Sequence, residues 1–282
     1  MAIVPLFDSF SPVRPRNPSK FNLQLLRDQF SLTTWLLIGG ALQSILFVLP
    51  IRPSYIVAPT FLILLTKVID TLLITYNLKA NPYLEGTYDT RFAALIPNSD
   101  GTFGAPKTEE DKENDSIVIL HLGFTVNHPL GIFAPGVREV GEGFKNMAKD
   151  LAVNAETNGF LGSTRFLSEQ PNRDTKSEIV QVFYFRSNEH VHKWAEEPVH
   201  RDVWNWWNKV HTQYRHLGIM HEVYEAPKSK FEAIWNHGRP NGIGATTFPV
   251  NTKDGKGWMS PIVNAGRNAL GTSKGRMNAY NA

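Results

Sequence analysis

The 282-residue chain contains no cysteine. That removes disulfides, thiolate nucleophiles, zinc–cysteine sites and thiolate-ligated haem from consideration. It also suits a domain facing the cytosol. The net charge of +3 is too small to imply nucleic acid, and no basic stripe interleaved with aromatics runs through the chain. A Gly-x-Ser-x-Gly elbow, an HExxH helix and a P-loop are all missing, which weakens hydrolase, zinc-protease and kinase readings. Residues 1–29 are rich in Pro, Ser and Arg without apolar periodicity. No apolar core with a small-residue cleavage site follows their start, so they read as a flexible tail and not a signal peptide.

Charge is absent between Phe30 and Ile51. The run Leu32 to Pro50 is long enough to span a hydrocarbon core of about 30 Å at about 1.5 Å per residue. Trp35 fits an interfacial anchor, and Gly39, Gly40, Ala41 and Ser44 allow another helix to approach closely. Pro50, Arg52 and Pro53 break the run. A second apolar run, Ser54 to Tyr76, is interrupted by Lys67 and Asp70, which at i, i+3 can pair on one face. Residues 30–80 therefore read as a membrane helical hairpin, the second run either spanning the bilayer or lying in its interface. Arg14, Arg16, Lys20 and Arg27 precede the hairpin, Lys79 and Arg91 follow it, and only Arg52 sits in the turn. The positive-inside rule places both ends in the cytosol. A glycan on the sequon Asn114-Asp-Ser116 would reverse that topology.

Residues 81–115 are turn-rich and read as a linker, with a short strand at Phe92–Ile96 and a solvated charge run from Lys107 to Asp115. Residues 116–227 carry a compact pattern. Ser116–Phe124 reads as a buried strand. Val137–Asn154 reads as a helix with Val140, Phe144, Met147 and Leu151 on one face. Gly159–Ser168 and Glu178–Arg186 read as strands joined by a polar turn, and a helical stretch and the strand Ile219–Ala226 follow. The order β-α-β-β-α-β is the ferredoxin-like pattern of an α+β fold, with both helices on one face of a four-stranded antiparallel sheet. Its strands are apolar on both sides, so the second face calls for cover, which a face-to-face dimer would supply. Residues 228–250 form an extension, and 251–282, polar, Gly-rich and basic, read as a disordered tail.

The helical stretch from Asn188 to Gly218 holds five of the nine histidines and four of the seven tryptophans. Asn188 reads as its N-cap, Pro198 as the first turn of a second segment, and Gly218 as its stop. His200, Trp204, Trp207 and His211 fall on one face by helical spacing. Val199, Val203, Trp206, Val210 and Tyr214 form an adjacent apolar face. Two flat rings between two imidazoles wall a pocket for a planar ligand, or else pack as core with the histidines at its wet edge.

Several motifs together resemble a fungal family of fumagillin-pathway-type monooxygenases. They are Leu42–Pro50, Asn81–Gly86, His121-Leu-Gly123, Asn127–Gly136, Asn158–Gly162, Phe183–Ser187, Pro198–Trp207 and Gly218–Glu225. The family is similar to antibiotic-biosynthesis monooxygenases of the dimeric α/β-barrel superfamily. The resemblance implies a membrane-associated oxygenase; with the sheet pairing and charge pattern above, the expectation is a homodimer at the endoplasmic reticulum with its catalytic domain cytosolic. It implies O2 and a polyketide-derived or similar hydrophobic secondary metabolite as substrates. It also implies chemistry without a cofactor, in which a deprotonated substrate gives an electron to O2.

Such chemistry needs a base, a group to steady an anion, and a dry aromatic pocket. His200 or His211 fits the base, Arg201 the anion partner, and Trp204 and Trp207 the stacking surface. His121 and His221 join the pocket if their side chains face the helices, and no residue set calls for a metal. Two alternatives stand beside this reading. One is a haem enzyme of the same superfamily, similar to aldoxime dehydratase, with histidine as axial ligand. The other is a non-catalytic, membrane-anchored binding protein.

Overall fold

A computed structural model describes residues 3–8, 26–113, 115–169, 175, 178–253, 255–266 and 269–281. Arg14, Arg16, Lys20, Asn114 of the sequon and most of the polar turn after Ser168 lie outside the described residues.

Two apolar helices come first, α1 (Leu32–Val48) and α2 (Pro53–Thr75), with no buried residue in either. Ser31 caps α1 by accepting the Thr34 N–H, and Pro53 opens α2 where a missing N–H costs nothing. The 23 residues of α2 are long and apolar enough to cross a bilayer, whereas α1 is a shorter apolar helix of 17 residues. Asp70 does not turn to Lys67 as expected from the spacing. Its carboxylate accepts from Lys79, beyond the helix end.

The ferredoxin-like order is realised in full. β2 (Ser116–Val126), α3 (Val137–Val153), β3 (Phe160–Ser168), β4 (Glu178–Phe185), α4 (Asn188–Glu196), α5 (Pro198–Val210) and β5 (Leu217–Pro227) follow one another. The sheet runs β3-β4-β2-β5, antiparallel throughout. Pro198 divides the histidine-rich stretch into α4 and α5, and Ser187, one residue before the expected cap, accepts the His190 N–H. Even positions of β2 face the helices. Val118 and Leu120 pack with Phe183, Phe185, Met147, Leu151 and Trp194 in a core whose members are all at most 6% exposed. Farther along, Phe124 packs with Val137, Val140 and Leu217, bordered by Trp206, Trp207 and Tyr214.

Odd positions of β2 face the other way, and the chain itself covers them at one end. β1 (Phe92–Ala94) pairs with β6 (Ile234–Trp235) and β9 (Ile262–Asn264), while β7 (Phe248–Thr252) and β8 (Gly255–Met259) form a hairpin. Ile117, Leu161, Val182 and Tyr184 are buried under Ala94, Ile96, Ile243 and Phe248 from these flanking segments. On the same face Phe166, toward the other end, and Tyr224, on the edge strand, remain 43% and 50% exposed.

Three expectations fail here. Described residues of the 251–282 segment fold: Val263, Ala265, Leu270, Ala279 and Tyr280 are buried against Ala93 and Leu95. Their apolar residues come in pairs between Gly and Asn, too few to be recognised locally, and gain their stability from distant strands. The N-terminal segment is held as well. Pro5 bridges Val263, Leu6 N–H donates to Ile262 O, and Gln29 is only 5% exposed. The charge run around Asp111 is not simply solvated, for Asp111 is 2% exposed and accepts the backbone N–H groups of Ser99, Lys107 and Thr108.

Candidate active site

The break at Pro198 lets α5 turn from α4 and pack against α3. The register then decides which histidines meet. Leu120 and Leu122 face the helices, so His121 between them faces away. There it lies opposite Glu222, with Nδ1 3.7 Å from the carboxylate, and its ring is 5.6 Å from that of Tyr224. The expectation that His121 shares a pocket with the helix is therefore corrected. His221 pairs in register with Leu122 and faces the helix side, where its charge lowers the pKa of His200.

His200 is the member of the stripe turned inward. Its ring lies 4.8 Å from that of Trp194, and its Nδ1 is 2.9 Å from the Ala195 carbonyl. A carbonyl only accepts, so Nδ1 carries the proton and the neutral ring keeps a free lone pair on Nε2. Burial holds the pKa of His200 below the usual histidine value. The Ala195 hydrogen bond pushes it back up, and the nearby His221 lowers it further. Beneath it, Trp194 is 2% exposed and packs on Phe183 and Phe185. Its Nε1–H has no hydrogen-bond partner among the described residues. An unmet buried donor costs about 1–3 kcal/mol, so this one calls for an explanation.

The other expected site residues are spread along the border of core and solvent. Trp207 is half-buried against the Phe124 and Val137 cluster. Trp204 is 55% exposed, and Arg201 and His211 are exposed. His211 uses Nδ1 to donate to Asn208 O at 3.1 Å, closing the end of α5. The stripe is real as a helical face, but Val199, Val203 and Trp206 take the core and leave it at the edge. The neighbouring flank of α5 forms, with α3, an open groove of about 430 Å³, lined by Val199, Asp202, Val203, Asn146, Lys149, Asp150, Val153 and Asn154. Neither this groove nor Trp194 stood out in the sequence. The Val191 and Trp194 spacing at i, i+3 in α4 was the available signal for the tryptophan.

Residues 117–243 match the model of the monooxygenase af470-like family. The chain is 32% identical over 255 residues to monooxygenase af470 of Aspergillus fumigatus, covering 89% of each protein. It belongs to the af470-like monooxygenase family. As a member of that family it is an oxidoreductase. Solved structures are more distant. SnoaB, a cofactor-independent oxygenase from Streptomyces nogalater, is similar at 16% identity and a TM-score of 0.27, with 40% of this chain and 93% of that one covered. An aldoxime dehydratase is similar at 13% identity and a TM-score of 0.38, covering 57% of this chain. The af470-like chain spans 40% of the length of that dehydratase.

Proposed function

We propose that this af470-like protein is a membrane-anchored monooxygenase that oxidises a hydrophobic, polyketide-derived or similar metabolite with O2 and no bound cofactor. The observation that carries this reading is the inward-facing His200, with a depressed pKa and a free Nε2, above the unpaired Trp194 N–H. At neutral pH such a histidine is an unprotonated base. It takes a proton from an activated CH2 group of the substrate. The carbanion gives one electron to O2, the radical and superoxide join as a peroxide, and loss of water leaves a ketone. The balance is CH2 + O2 → C=O + H2O. Arg201, next along α5 and exposed, supplies positive charge for the anion, and Trp204, Trp207 and His211 follow His200 along the same helical face.

Haem fits the packing poorly. The helix-facing surface of the central strands is already covered, with Phe183 and Phe185 under Trp194, Met147 and Leu151. A macrocycle would have to displace that layer, so no step is assigned to one. In this reading α1 and α2 form the membrane hairpin, at the endoplasmic reticulum with the domain cytosolic. The uncovered end of the sheet, around Phe166, Met220 and Tyr224, pairs with a second copy.

The test starts from the metabolite that accumulates when the gene is deleted. Supplied to full-length protein in detergent micelles, it drives O2 consumption, and His200→Gln lowers the rate by about 100-fold or more, the usual worth of a general base. Consumption unchanged in His200→Gln overturns the base assignment. No consumption by the wild type overturns the monooxygenase reading in favour of a binding protein. A Soret band in the purified protein overturns the cofactor-free chemistry.

A further inference from the structure

The turn between β2 and α3 presents two large apolar side chains to the outside while being held rigid from within. Leu130 is 55% exposed and Phe133 62%. Scattered exposed apolar residues are ordinary. These two are displayed on a turn that cannot fold back over them. The N–H of Leu130 donates to His128 Nδ1, that of Phe133 to Leu130 O, and that of Ala134 to Gly131 O. His216 Nε2 donates to Pro135 O at 2.9 Å, and its ring lies 4.9 Å from that of His128. The inward side chains of the turn, Ile132 and Ala134, belong to the cluster that contains Trp206 and Trp207.

The same turn is fastened to the entrance of the apolar hairpin. The Gln29 side-chain carbonyl accepts the Ile132 N–H at 2.7 Å, and α1 begins at Leu32. Gly131 is needed for this docking. Its φ is +53°, and a Cβ there would lie 1.6 Å from Gln29 Oε1. The mouth of α1 is aromatic, since Trp35 donates to Arg27 O and meets Phe30 edge-on at 5.2 Å. Beyond the end of α2, Tyr76 and Leu78 are 70% and 75% exposed. Aromatic and aliphatic residues thus flank the hairpin at both of its ends, which is the composition of a membrane interface.

We propose that the Leu130–Phe133 turn is a second lipid contact, dipping both side chains into the boundary zone of the bilayer that α1 and α2 enter. The domain is then held at one orientation, with the tryptophan end of α5 against the lipid in which a hydrophobic substrate dissolves. This inference rests on the membrane reading of the hairpin.

Because the chain has no cysteine, single-cysteine labelling is clean. Full-length Phe133→Cys, Leu64→Cys in α2 and Glu110→Cys each receive an environment-sensitive fluorophore in phosphatidylcholine–phosphatidylserine vesicles. Glu110 precedes β2, and the turn follows the other end of that strand, which is about 33 Å long. At position 133 the emission shifts to the blue, nitroxide placed shallowly on the lipid chains quenches it, and aqueous iodide does not. Position 110 responds to iodide. Lipid quenching at 64 with iodide quenching at 133 overturns the second contact and leaves the hairpin reading intact. Protection at 133 from both quenchers means a protein surface covers it, and also overturns the proposal. Iodide quenching at 64 removes the hairpin reading and this inference with it.

Discussion

Asp111→Asn tests how the layer in front of the sheet is held. Thr108 and Asp111 form a reciprocal cap. The Asp111 N–H donates to Thr108 Oγ1, and the carboxylate accepts the Thr108 N–H at 3.0 Å. The same carboxylate accepts from Ser99 at 2.6 Å and Lys107 at 3.1 Å, which ties the chain after β1 to the start of β2. Burial raises its pKa, but the hydrogen bonds from Ser99, Thr108 and Lys107 outweigh it and bring the value from 3.8 down to about 2. At about 1.4 kcal/mol per unit, the charged form contributes about 2 kcal/mol to folding. Asparagine loses that, and its NH2 faces backbone donors, which adds about 1–3 kcal/mol. The expected loss is therefore about 3–5 kcal/mol, read as a fall in the denaturant midpoint of the full chain in micelles. The wild-type contribution is fully present above pH 3.8 and is lost as pH falls through about 2. Asp111→Asn removes that acid-range dependence. A midpoint within the scatter of a surface substitution, about 0.5 kcal/mol, would refute the argument.

Tyr280→Phe strips the acceptor from the buried Ile96 N–H, 2.8 Å away, and should cost about 1–3 kcal/mol; urea denaturation with no change would mean the C-terminal segment does not pack as described. Gly159→Ala places a Cβ 2.4 Å from the His190 ring at a φ of +67°. It should lower stability by about 1–3 kcal/mol, measurable in the same unfolding assay. His200 titrates below its usual value of 6.5, so activity should hold at neutral pH and fall as pH drops through the depressed value. Its contribution to stability is likewise fully present above 6.5 and lost on the acid side. His221→Ala removes a neighbouring charge that lowers it, so the acid limb of the rate profile should move to higher pH, and an unmoved limb would separate the two histidines.

Element order was legible because the domain from β2 to β5 has strong local patterns. Val140, Phe144, Met147 and Leu151 mark α3 by spacing alone, and Pro198 marks the joint between α4 and α5. The flanking layer was not legible. β1, β6 and β9 are three, two and three residues long, each meaningless until the others lie beside it. Composition argued for disorder because the segment is polar, Gly-rich and basic. Val263 is buried by pairing with β1, and Tyr280 accepts from the Ile96 N–H just beyond it, both more than 150 positions earlier in the chain. The capping pattern Thr108-x-x-Asp111 was present and was hidden by the surrounding charges.

At the site, spacing along α5 correctly grouped four rings on one face yet could not say how deep that face sits. Depth is set by competition. Val199, Val203 and Trp206 lie on the adjacent face and fill the core first, so the imidazole and indole stripe is left at the margin, with Trp204 outward and His200 tucked against α4. Strand parity was decisive, but with β2 apolar at both odd and even positions the sequence left open which set faces the helices. With Leu120 and Leu122 on the helix side, His121 had to point away. His221 faces the helices because it stands opposite Leu122 across β5, a register that sequence alone does not supply. The reactive centre proposed for this protein therefore depends on a cross-strand alignment together with one buried indole, and neither is a motif. His200→Gln and His221→Ala separate the base from its surroundings, because the first removes the base and the second only changes the field around it.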